Sequence, residues 1–128
     1  MPSKPVKIPG TDHPITVEPA AHRIVVTLAG KVIADSSEAL TLREAAYPAV
    51  HYIPRKDVDM TALARSATTS YCPYKGEASY FSLPAGGDRS IDAIWTYEAP
   101  YEAVAAIKDH LGFYTSRVDA IEERPLAS

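Results

Sequence analysis

The stretch that most constrains the fold is "RIVVTLAGKVIADS", Arg23 to Ser36. Ile24, Val26 and Leu28 alternate with Val25 and Thr27, and period two sends neighbouring side chains to opposite faces of an extended strand. Ala29-Gly30 then interrupts the run before Val32, Ile33 and Ala34. Gly30 supplies the positive φ that a short hairpin loop requires, so the segment predicts a β-hairpin. The rest of the chain shows no βαβ rhythm and no internal repeat, which points to an antiparallel β architecture.

Around this hairpin the organisation follows from local signals. Residues 1–14 carry Pro2, Pro5, Pro9 and Pro14 and read as an extended lead-in, with residues 15–124 forming one β-rich domain. Pro48 and Pro54 bracket a short strand over Ala49 to Ile53. Asp57 suits the N-cap of a short helix with Met60, Leu63 and Ala64 as its apolar stripe. A second hairpin joins Phe81 and Leu83 to Ile91, Ala93, Trp95 and Tyr97 through a turn at Pro84 to Ser90. "APYEAVAAIKDHLGFY" predicts the main helix, over residues 100 to 111. Pro100 suits its first position, Lys108 and His110 its last turn, and Gly112 its cap. Tyr101, Val104, Ile107 and Leu111 would be its buried stripe. "FYTSRVDAIEE" closes with a further strand or hairpin. The expected fold is mainly β: a small antiparallel barrel or two-sheet domain with one helix in the C-terminal half and a short second helix.

Composition excludes several function classes. At 128 residues the chain can bury a core without staples, and its net charge of −3 with no basic stripe speaks against nucleic acid as a partner. One cysteine rules out an internal disulfide and a cysteine-based zinc cage. His13, His22, His51 and His110 are scattered without HxH or HExxH spacing, and Asp57 and Asp59 are accounted for by a helix N-terminus. No metal and no cofactor are therefore expected. No GxxxxGK[ST] or GxGxxG loop is present for phosphates. The N-terminus lacks the apolar core of a signal peptide and no apolar run could span a membrane, so a soluble, cytoplasmic protein is expected.

The candidate site is "SYCPYKGEASYFSL", Ser70 to Leu83. Pro73 and Gly76 shape a turn, and Gly76 allows close approach of the backbone to a ligand. Cys72 is either a small buried hydrophobe or a thiol activated by Lys75. Lys75 is a nucleophile or, more simply, the partner of Glu77 or of an anion. Glu77 is a general base or an exposed residue at a strand start. Eight tyrosines stand against two phenylalanines. Tyr52, Tyr71, Tyr74, Tyr80, Trp95 and Tyr97 could line a cleft for a flat ligand, or pack an ordinary aromatic β core. Arg55 is the further candidate for a carboxylate or phosphate group.

"HPITVEP", "GKVIADS", "YIPRKDV", "YCPYKGEASYFS", "AIWTYEAP" and "GFYTSRVD", in this order, closely resemble the family called domain of unknown function 427. The resemblance runs from about His13 to Glu123. It implies a small β-rich fold like the β-tent group, which includes methionine sulfoxide reductase type B and zinc-binding modules. Those relatives hold zinc between paired CxxC knuckles, whereas Cys72 stands alone, so the structural zinc is expected to be absent. The nucleotidyltransferase-like label sometimes given to the family would need an aspartate two residues after the lysine, and position 77 is Glu.

Three functions stay open at this level. The first is a module binding a small flat, polar or anionic ligand around Tyr71 to Ala78. The second is a small-molecule enzyme using Cys72, Lys75 or Glu77, and the third is a protein-interaction module, with homo-oligomerisation open.

Overall fold

The computed structural model describes residues 4–126. Ten strands form two antiparallel sheets among the described residues. The larger sheet has seven strands, and its order uses β1 (Ile15–Pro19), β4 (Leu40–Glu44), β5 (Val50–Pro54), β9 (His110–Phe113), β8 (Ile94–Thr96), β7 (Gly76–Ser82) and β6 (Ala64–Cys72). The smaller has three, in the order β10 (Ala120–Arg124), β2 (Arg23–Leu28), β3 (Lys31–Ser36). Among the described residues the fold is mainly β, with two sheets and no closed barrel.

The β2–β3 hairpin forms where the alternation predicts it. Ala29 and Gly30 both take positive φ, 54° and 75°, the conformation of the tightest hairpin loops. Ala29 tolerates this with its N–H held by the Asp119 carboxylate at 2.8 Å. Ile24 and Val26 are fully buried against Ile53, Phe81, Ile94 and Leu111 of the larger sheet. Each such side chain contributes roughly 2 kcal/mol by leaving water.

The opposite face of the larger sheet is built by the other phase of the alternation. Leu42, Tyr52, Ala78 and Tyr97 form a second cluster there, closed by Val104 and Ile107. These two come from the segment expected as the main helix, which differs in kind: Glu102–Ile107 is 3₁₀, kinked at Val104. The helix cannot run on to residue 111, because His110–Phe113 is β9, a central strand paired on both sides. Backbone pairing inside the sheet outweighs a helical apolar pattern over four residues. The short second helix is also 3₁₀, Met60–Ala62, and its cap is Asp59 rather than Asp57. Asp57 instead accepts a hydrogen bond from Ser36 Oγ at 2.7 Å. Ile91, expected in the second strand of the second hairpin, instead lies before the start of β8 and is half exposed.

Candidate functional site

The cleft begins with period-two geometry. Glu44 on β4, Val50 and Tyr52 on β5, Tyr80 on β7 and Trp95 on β8 point to one side of the larger sheet, joined by Tyr97 just beyond β8. They line a cleft of ≈220 Å³, with Tyr47 and Pro48 of the β4–β5 loop and Tyr114 on its wall.

Lys75 closes one end. It sits in the β6–β7 turn, where its N–H donates to the Cys72 carbonyl at 3.2 Å and its carbonyl accepts from Tyr101 N–H at 3.0 Å. Gly76 follows with φ 107°, packed so that a Cβ would lie 3.4 Å from the Ala99 carbonyl oxygen. This backbone turns the lysine inward, leaving it 8% exposed. A buried ammonium needs a partner. Its partner is Glu44, in a short ion pair, and not Glu77. Glu44 also meets His13 Nε2 at 2.8 Å, and the His13 ring stacks flat on Tyr74 at 4.0 Å. Burial pushes the Glu44 carboxyl up, but the hydrogen bonds from Lys75 and His13 outweigh it and hold the group below its ordinary value.

The aromatic wall is tied together by its polar ends. Trp95 Nε1 donates to the Tyr52 hydroxyl at 3.0 Å, and the indole leans on Tyr114 at 4.6 Å. Tyr80 and Ser70 hydroxyls meet at 2.8 Å. Burial raises the Tyr52 and Tyr97 phenols far above their ordinary value, so both stay neutral at physiological pH. Gly112, directly opposite Trp95 across the β8–β9 ladder, is what lets the indole lie down: a Cβ there would sit 2.6 Å from the ring.

Of the sequence candidates, Tyr52, Lys75, Tyr80, Trp95 and Tyr97 are thus brought together, with Gly76 setting the turn. The others lie around or away from the cleft. Tyr71 donates to the Pro5 carbonyl and meets the Tyr101 hydroxyl, both at 2.6 Å; burial and Tyr101 push its phenol up to about 12. Tyr74 stacks on His13 outside the cleft wall. Glu77 is exposed and paired with Lys4 at 3.3 Å. Cys72 is a half-buried free thiol packed against the second cluster. Arg55 is remote from Lys75's pair: it reaches Glu98 at 3.1 Å, beside Arg65, with both guanidinium groups over the Phe81 ring.

Sequence reasoning missed Glu44, His13, Tyr47 and Tyr114. The need for an acidic partner follows from a buried lysine, but burial of Lys75 is itself a tertiary fact. Beside the cleft, between the two sheets, lies a second cavity of ≈380 Å³ floored by Ile24, Val26, Ile53 and Phe113.

Among the described residues no group of three or more His, Cys, Asp or Glu side chains gathers to hold a metal ion, and no helix is long and apolar enough to cross a membrane. No curated protein matches the chain. The model of the family described as a domain of unknown function (DUF427) matches residues 16–124, nearly the whole of the described chain, and the protein belongs to that family.

Proposed function

We propose that the protein binds a small flat molecule in the tyrosine-lined cleft, with a polar group of the ligand at Lys75 and Glu44 and its plane against Trp95. One observation carries this reading: a buried lysine–glutamate pair ends a concave aromatic cleft. The ammonium has donors to spare beyond Glu44, and the carboxylate keeps acceptor capacity beyond Lys75 and His13. Together they suit a group that both accepts and donates, such as a carboxamide. An anion gains less, because Glu44 already stands beside the ammonium and cancels much of its field. Turnover through Cys72, Lys75 or Glu77 has less support, since Glu77 faces solvent on Lys4 and Lys75 is held by Glu44.

Trp95 is the only tryptophan, so its fluorescence reports on the cleft. Titration with benzamide is expected to change it saturably. A hydrogen bond to a charged group contributes about 1.5–3 kcal/mol. The pair variant Lys75→Met with Glu44→Gln, which buries no lone charge, should therefore weaken binding at least about tenfold. Equal affinity in that variant, or no saturable response in the parent protein, would refute the assignment.

A further inference from the structure

The polar cleft does not stand alone. The β5–β9 ladder holds only two pairs, Ile53 with Leu111 and Pro54 with His110. Before it, Val50 and Tyr52 pair with β4 on their other side; beyond it, Gly112 and Phe113 pair with β8. The larger sheet is therefore split between the start of β5 and the end of β9. The cleft and the cavity between the sheets meet at this split, sharing Tyr47, Pro48, Val50, Trp95 and Tyr114 as wall residues. Trp95 spans it, lying over Gly112 and reaching across to the Tyr52 hydroxyl.

The two compartments differ in chemistry. One ends in Lys75 and Glu44. The other has an aliphatic and aromatic floor, and both ring nitrogens of His51, on its wall, are engaged by Thr41 at 3.0 Å and Glu123 at 2.9 Å. Its lining is mainly apolar, with the hydroxyls of Tyr47, Tyr114 and Thr115 as its remaining polar side chains. The polar cleft, at ≈220 Å³, is smaller than the ~300–1,000 Å³ usual for small-molecule sites, and joined to the ≈380 Å³ cavity it falls within that range.

We infer that the ligand is amphipathic: a flat polar head at Lys75 and Glu44 carries an apolar arm that passes the edge of Trp95 into the space between the sheets. This rests on the binding role proposed for the cleft and adds the ligand class. The arm gains by leaving water and by filling contacts that an apolar void lacks.

The test is calorimetric titration of the folded protein with benzamide and its 4-ethyl, 4-butyl and 4-hexyl derivatives, all below their aggregation limits. Affinity should rise about three- to fourfold for each methylene that enters the cavity, then level off when it is full. Ile121, on β10, lines only the apolar compartment and is partly buried. Ile121→Phe, checked for an unchanged melting temperature, should flatten the rise while leaving benzamide itself bound as before. A second readout, a nitroxide placed at the end of the arm, should broaden amide signals of Ile24 and Val26 more than that of Lys75. If benzamide binds but the alkyl series gains nothing, the apolar arm is refuted and the head site stands. If no member of the series binds, both fail. A gain that survives Ile121→Phe, with broadening away from Ile24 and Val26, also overturns the inference by placing the arm elsewhere.

Discussion

Two clusters in this molecule are made of nearly the same parts. In one, Lys75 and His13 share the carboxylate of Glu44 beside Tyr74. In the other, Arg55 and Arg65 share the carboxylate of Glu98 over Phe81. Their settings differ. The lysine side chain is 10% exposed and its pair faces a cavity, whereas Arg65 is 53% exposed and Glu98 36%. Cation, carboxylate and aromatic ring therefore do not make a site. Burial beside a concave space separates the cluster proposed to grip a ligand from one that ties the Arg55 turn and β6 to the segment after β8 at the surface.

Removing the lysine alone is the hardest test of that distinction. Lys75→Met leaves Glu44 half-committed and shielded from water, and breaking such a pair costs about 3 kcal/mol. Denaturant unfolding should show the loss, and adding Glu44→Gln should restore most of it. A single-variant cost under about 1 kcal/mol would put the pair in the same class as the surface cluster.

The next effect concerns the wall between the compartments. Gly112→Ala places a methyl where the Trp95 ring lies, so the indole must swing off β9. Overpacking of this kind costs about 1–3 kcal/mol. Trp95 emission should shift and benzamide binding should fall. Unchanged emission would mean that the sheet moves in place of the indole.

The smallest effect is expected at Glu98. Arg65→Ala should cost no more than about 1 kcal/mol at neutral pH, and less at high salt. The pH dependence sharpens the comparison. The hydrogen bond from Arg65, opposed by burial and helped by Arg55, lowers the Glu98 carboxyl from 4.5 to about 2. A depressed carboxyl contributes stability that is present above its unfolded value and lost as pH falls through the folded one. The window is therefore about pH 4.5 down to about 2. Unfolding curves of the parent and of Arg65→Ala should converge at the bottom of that window; a constant gap across it would remove the ion pair as the cause.

Local signals were legible in the sequence wherever local physics decides. The Ala29-Gly30 loop, the strand ended by Pro54 and the alternation of β2 all follow from φ preferences and period-two packing within a few residues. The tyrosine-rich motifs were legible too, and the alternation within each strand keeps Tyr52, Tyr80 and Trp95 on a common face once the strands pair. The helix expected over 100 to 111 is present only as Glu102–Ile107, because Val104, Ile107 and Leu111 are all buried but by two different elements.

The chain's own order of residues determined a β-rich, antiparallel protein and marked the turn that carries Lys75. Only tertiary structure decided that Lys75 takes Glu44, 31 residues away, over Glu77, two residues away, and that Arg55 answers to Glu98. A side chain in a strand can reach only what its own face presents, and which acid is presented depends on the pairing of strands distant in the chain. Glu77 is turned outward by the same alternation that turns Ala78 inward.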